Sequence, residues 1–259
     1  MRRVLTETAG ESVRYLVNPT AEYLFALTIV GNRSDELEPV RVLGRREVVR
    51  QLRQDFTVGS RMSNLVDDDL VAIREGELDD ETPMLVADSS VHTLVLLEET
   101  AGSVPSRDPA FVTEVFDACD QRWAAAEPYS IRIPPLRSLR ASMTARLGDP
   151  FRDGFETALD VAETLRDRTD FHPVRAAIVV AASERLLHYD LSKWGEDSGL
   201  ASTASFSRHK TDLEDENVIT TEKEPVEMGR PRQRLLLTDE YRRLLEDEGL
   251  TTVIERISE

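Results

Sequence analysis

The sequence predicts an α/β domain followed by helices, and then a smaller helical unit that closes on a two-stranded ribbon. Three observations predict this. From Val13 to Glu99 short apolar runs alternate with a helical pattern. From Asp108 onward the apolar spacing is helical alone. After the polar stretch Arg166–Pro173, helices give way to two extended runs around a Gly-Pro turn. The domain boundary is placed there, giving residues 1–170 and 171–259.

In the first part, VRYLVNP and PVRVLG read as short strands, and LVAIRE as another. Residues 45–66 carry Val48, Val49, Leu52, Phe56 and Met62 at roughly helical spacing. PMLVADSSVHTLVLLEE reads as two strands around a turn at Asp88-Ser89-Ser90. Strands alternating with helices imply a layered α/β structure. Next comes a helix opened by Asp108-Pro109, a cap followed by a first-turn proline. Phe111, Val115, Phe116, Cys119 and Trp123 form its apolar stripe. Asp149-Pro150 opens a further helix with Phe151, Phe155, Leu159 and Leu165 along it. These stripes can complete the core of the first domain or make a subunit interface; they exceed what a small sheet needs, which favours the interface.

In the second part, PVRAAIVVAASERLLHY reads as an apolar helix. DLSKWGEDSGL reads as a short helix capped by Asp190, with Leu191 and Trp194 inward and a stop at Gly199. ASTASFSRHKTDLED is the third helix. ENVITTEKEP and RLLLT are strands around VEMGRPRQ, and DEYRRLLEDEGL starts a last helix. Three helices followed by a ribbon with a basic tip is the order of a winged helix-turn-helix. Residues 174–259 are expected to fold alone.

At about 100° per residue, Phe206 and Leu213 point to one side of the third helix. Ala204, Ser207, Arg208, Thr211 and Asp215 point to the other. A helix entering a major groove needs such a face: small side chains allow close approach, hydroxyls bond phosphates, and arginine grips guanine. The set expected to touch double-stranded DNA is Ser202, Thr203, Ala204, Ser205, Ser207, Arg208, Lys210 and Thr211 on the helix. Arg230, Arg232 and Arg234 join them from the ribbon. Lys210 departs from the pattern, because it falls near the buried side, where an aliphatic residue is usual.

The chain carries 49 acidic against 32 basic residues, a formal charge of -17, and its only lysines are Lys193, Lys210 and Lys223. Multi-molar salt favours that pattern, since the Debye length there is about 3 Å and acidic self-repulsion is screened. The sequence therefore reads as a halophilic, archaeal, cytoplasmic protein, whose acidity does not exclude an anionic partner. No apolar run is long enough to span a membrane. The first residues carry two arginines without the apolar core of a signal peptide. A single cysteine, Cys119, rules out an internal disulfide and a cysteine-rich zinc site.

Nothing marks an enzyme, a cofactor or a metal. The four histidines form no HxxxH or HExxH pair, and no Walker, GxGxxG or GxSxG motif occurs. His92 stands where phospholipase-D-like folds place His-x-Lys, but Leu94 occupies the lysine position. His92 is instead expected in a hairpin, partly covered. Asp67–Asp69 reads as acidic background, and Cys119 as buried packing.

The segments YDLSKWGED, ASFSRHKTDLED and TEKEPVEMGRPR resemble the haloarchaeal TbsP family of transcriptional regulators. RVLGRREV, DQRWAAAEPYSIRIPPL and LGDPFRDGFE resemble its amino-terminal region. The resemblance implies a winged-helix transcription factor tied to central sugar metabolism, a role that no residue spacing shows. We therefore expect a homodimer whose first domain senses a small-molecule effector or dimerises. The rival class is an adaptor whose winged helix has lost DNA; it would tolerate acidic residues on the outward face and ribbon tip.

Overall fold

A computed structural model describes residues 5, 8, 13–33, 37–76, 78, 82–96, 101–164, 171–225 and 231–258. It comprises two compact units, Met1–Pro135 and Leu136–Glu259.

The first unit is built on a seven-stranded sheet. β1 (Arg14–Val17), β2 (Val40–Gly44) and β3 (Val71–Glu75) run parallel. β4 (Met84–Ala87), β5 (Val91–Leu96) and β6 (Ala101–Ser106) form an antiparallel meander attached to β1. β7 (Glu127–Pro128) pairs with β3, and the order is β6-β5-β4-β1-β2-β3-β7. The α/β expectation therefore holds. β6 escapes sequence reading because its Gly102 and Pro105 argue against a strand, and an edge is where a sheet tolerates proline.

The period-two alternation of the strands divides the core between two faces. Leu16, Val42, Ile73, Leu85 and Leu94 pack with residues of α1 (Ala21–Arg33), α2 (Arg46–Gln51) and α3 (Phe56–Asp67). Tyr15, Val17, Val86 and Val91 pack with Val112 and Cys119 of α4 (Pro109–Ala125). α1 is an element that sequence reading did not identify. The expected helical stretch 45–66 is two helices. Asp55 ends the continuity by accepting a hydrogen bond from Val58 N at 3.0 Å, which caps α3. At Gly59 an added Cβ would collide with the Leu52 carbonyl oxygen, so the break needs a glycine there.

α4 is capped as expected, with Asp108 accepting from Phe111 N at 2.9 Å. Most of its stripe completes the core: Cys119 is buried, and Val115, Phe116 and Trp123 are half-buried around Tyr15, but Phe111 is exposed and the neighbouring Val112 is buried in its stead. The Tyr15 hydroxyl donates to Asp120 Oδ1 at 2.6 Å and accepts from Arg41 Nη1 at 2.8 Å, so this buried polar group is satisfied. His92 is fully buried, deeper than expected, with Nε2 3.2 Å from Ser90 Oγ.

The second unit begins 35 residues before the expected boundary, since 136 replaces 171 as its first residue. α5 (Leu136–Leu147) and α6 (Asp149–Thr164) form a helical hairpin that turns at Gly148, whose φ is 93°. α6 packs on α7 (Pro173–Ser183) and on the last helix, α10 (Asp239–Ile257), while α5 packs on α8 (His188–Asp197). Phe151, Phe155 and Leu159 are buried in this unit, so these three residues make its core and not a subunit interface. A fragment starting at residue 174 would lack those aromatic rings. Of the expected boundary segment, residues 166–170 lie outside the described residues, as does Leu165.

α9 (Thr203–Asp215), β8 (Ile219–Glu224) and β9 (Arg232–Leu237) complete a winged helix-turn-helix. α7 is shorter than its apolar pattern suggests. Arg185 adopts φ 56°, and Leu186 N bonds back to Ala181 O at 2.8 Å. Leu187 then bridges Arg234, and Leu235 N donates to Leu186 O at 2.9 Å. The free edge of β9 thus gains backbone partners that a continuing helix would deny it. α8 starts at His188, so Asp190 stands in its first turn and is not its cap.

Candidate nucleic-acid interface

α8 and α9 meet through a glycine-mediated turn. Gly199 has φ 76°, and Leu200 N donates to Gly195 O at 2.9 Å, which closes the end of α8. Ser202 caps α9, accepting from Ser205 N at 3.2 Å. The expected division of faces holds. Phe206 and Leu213 are fully buried, while Ala204, Ser207, Arg208, Thr211 and Asp215 are exposed. Ser207 donates its hydroxyl to Thr203 O at 3.0 Å, and Thr211 to Ser207 O at 3.1 Å. Both hydroxyls therefore offer lone pairs outward unless they rotate. Thr203 Oγ1 lies 3.5 Å from Glu196 Oε1. Arg208 is exposed and makes no ion pair among the described residues.

Lys210 requires a correction. It is 8% exposed, and Nζ donates to Glu214 Oε2 at 2.7 Å. Glu214 Oε1 accepts from Thr221 Oγ1 at 3.1 Å, so this pair fastens α9 to β8 instead of reaching outward. Burial of an ammonium demands such a partner. The acidic end of α9 is also occupied internally, because Arg175 of α7 grips Glu216 through two bonds of 2.5 and 2.9 Å.

The ribbon is less basic than its sequence. Arg234 pairs with Glu224 and donates to Arg185 O at 2.5 Å. Arg232 lies 3.4 Å from Asp190 Oδ1 and stacks over the Tyr189 ring at 4.4 Å. Arg234 is thus held midway along the ribbon, and the charge of Arg232 is shared with Asp190. Arg230 lies outside the described residues. Sequence reading missed Tyr189, which is 53% exposed beside Arg232. It also missed Lys223, exposed opposite Gln233 with no ion pair among the described residues. The flanking Glu222 and Glu224 hide that lysine in a charge count.

Two histidines brace this unit. Burial holds His188 below its ordinary pKa, with the Lys210 ammonium adding to the effect and a Phe206 backbone hydrogen bond and Glu214 opposing it. Burial also depresses His209, whose ring lies 4.1 Å from that of His172. Arg208 and Arg175 push the same way, and Asp212 opposes. A depressed histidine pKa means that the unfolded chain binds protons first. Stability is then present above the unfolded value near 6.5 and declines as pH falls through it. Melting the chain at fixed salt should show a lower midpoint at pH 5.5 than at 7.5 (about the window of histidine titration). His188→Gln should flatten that slope. An unchanged slope in the variant would exclude His188 as its source.

No helix among the described residues is long and apolar enough to cross a membrane. No curated protein matches this chain. Among solved structures, one similar chain is TrmBL2, an archaeal chromatin protein whose structure is described as showing a novel mode of DNA binding. It shares 14% identity over 49% of each chain, with a TM-score of 0.36. The family description "Transcriptional regulator TbsP-like, N-terminal" matches residues 1–134, and "Transcriptional regulator TbsP-like, C-terminal HTH domain" matches residues 135–255. With a sheet domain and a winged helix under those two matches, the chain belongs to the TbsP-like transcriptional regulators, DNA-binding proteins of winged-helix type and not enzymes.

Proposed function

We propose that the first two turns of α9 enter the major groove of duplex DNA and that Arg208 reads a base edge there. The observation that carries this is the exposed Arg208, without an ion pair among the described residues, on a face it shares with Ala204, Ser207, Thr211 and, at the far end, Asp215. Ser202, Thr203 and Ser205 sit at the helix start, where backbone N–H groups favour phosphate. Tyr189, Arg232 and Lys223 serve the flanking backbone, together with Arg230. Arg208→Ala should weaken specific binding by about 1–3 kcal/mol while changing binding to random duplex far less. Measured affinities for selected operator and random DNA that do not move apart would remove Arg208 as a reader. An adaptor that had lost DNA would show neither affinity.

The regulator is proposed to act in the cytoplasm of a halophilic archaeon on genes of central sugar metabolism; only the family resemblance supports the metabolic part. It acts as a homodimer on paired half-sites, as winged helices of limited contact area commonly do. The uncharged edge strand β6, with Val104 64% exposed, supports a second copy as the neighbour. A monomer by light scattering at high salt would exclude that state. The first unit is the sensor, and an effector bound there shifts the chain between two arrangements of different operator affinity.

A further inference from the structure

The ends of β2 and β3 frame a cleft of about 580 Å³. Arg45 and Arg46 reach it from the start of α2, Glu75 and Gly76 from the end of β3, and Glu127 from β7. Its position follows from topology. β2 and β3 are parallel and finish side by side, with Gly44 opposite Glu75 and Gly76 N bonded to Gly44 O at 3.1 Å. Val49 of α2 and Leu52 just after it pack with one face of the sheet, whereas Cys119 and Trp123 of α4 pack with the other. The start of α2 and the C-terminal end of α4 flank these strand ends from opposite faces of the sheet, and the crevice lies between them.

The charges in this crevice are poorly matched to each other. Arg46 Nε lies 3.3 Å from Glu75 Oε1, and Arg46 Nη2 lies 4.0 Å from Glu127 Oε2. Arg45 Nε lies 3.6 Å from Glu47 Oε1, and this buried nitrogen has no hydrogen-bond partner among the described residues. Charge-assisted pairs close to about 2.7–2.9 Å when they are structural. In the second unit, Arg175 closes on Glu216 in that manner, at 2.9 and 2.5 Å. The guanidinium groups of the cleft therefore retain donors, in a chain whose net charge is -17. Glu75 and Glu127 retain acceptors beside them.

Arginine donors bind an oxyanion, and adjacent carboxylates accept from hydroxyl groups. We infer that this cleft binds a small hydroxylated oxyanion, a polyol carrying a phosphate or carboxylate group, with Arg45 and Arg46 on the anion and Glu75 and Glu127 on the hydroxyls. The inference rests on the regulator reading only for its consequence, which is control of the operator; binding itself needs no DNA.

Calorimetric titration of the full chain at one potassium chloride concentration tests it with four probes: glycerol 3-phosphate, glycerate, inorganic phosphate and glycerol. At least one of the two hydroxylated anions should bind, and the preferred one tells phosphate from carboxylate. Inorganic phosphate should bind more weakly, and glycerol should give no signal. Arg46→Ala should lower affinity about ten-fold to a hundred-fold, the scale of one charge-assisted hydrogen bond. Arg107→Ala, which removes the same charge outside the cleft, should leave affinity unchanged. The bound anion should also slow amide exchange at residues 44–47 and 125–127 of the unmodified chain. Silence with both hydroxylated anions, an equal response to inorganic phosphate or glycerol, an equal loss in Arg107→Ala, or protection elsewhere would each overturn the proposal. Because these titrations contain no DNA, such a failure would leave the DNA-binding reading standing.

Discussion

Trp194→Ala should destabilise the winged-helix unit by about 3–5 kcal/mol, the range for truncating a buried aromatic side chain. Trp194 is 1% exposed. Its ring meets Phe151 edge-on at 5.5 Å, and its Nε1 donates to Ser142 Oγ at 2.9 Å. One side chain on α8 therefore ties together α5, α6 and the helix-turn-helix. Domains are stable by about 5–15 kcal/mol, so a loss of this size leaves a substantial unfolded fraction on warming. Denaturant unfolding followed by circular dichroism measures it. The fluorescence of Trp123, in the other unit, reports whether the sheet domain is spared. A variant that unfolds at the original midpoint would show that the hairpin contributes nothing to the winged helix.

Gly195→Ala should be nearly as damaging, by about 1–3 kcal/mol or more, because the site has no room. A Cβ at this position would land on the Phe206 ring. Neither helix can readily yield. α8 is held by Leu191 and Trp194, both buried, and α9 by buried Leu213 and by the hydrogen bond from Thr221 of β8 to Glu214. Any relief must change how the two helices cross, and this also displaces Arg208. Operator affinity should therefore fall by more than the loss of folded protein explains. The double variant Gly195→Ala, Phe206→Leu should be more stable than the sum of its parts, since the smaller side chain admits the methyl group. Additive effects would mean that the collision is not what makes glycine necessary.

Much of this arrangement is legible in the chain itself. The strands β1 to β5, the cap at Asp108 and the two faces of α9 all follow from local rules of alternation, capping and helical period. Elements whose logic is not local are missed. β6 contains residues that disfavour strands and exists because β5 offers it a ladder. The end of α7 is set by β9, which takes Leu186 and Leu187 as partners fifty residues away in sequence (roughly the reach of one loop and two helices). The domain boundary is misplaced for a related reason. The apolar stripe of α6 looks the same whether it faces a sheet, a second subunit or the winged helix.

By itself the sequence determined the class of the protein, its acidic surface and the outward composition of its third winged-unit helix, because each is a property of composition or of a single regular element. Which cations are available to a partner was decided only by the tertiary structure. Arg232 and Arg234 stand two residues apart and look equivalent in sequence, whereas Lys210 already differs from Arg208 by falling near the buried side of its helix. Folding brings Glu224 of β8 to Arg234 and Asp190 of α8 to Arg232, and Lys210 pairs with Glu214 four residues along its own helix, while no carboxylate among the described residues pairs with Arg208. A charge acts on a ligand only to the extent that neighbours leave its donors unsatisfied. For Arg232 and Arg234 those neighbours arrive from other elements, and only the packed structure shows which cations they reach.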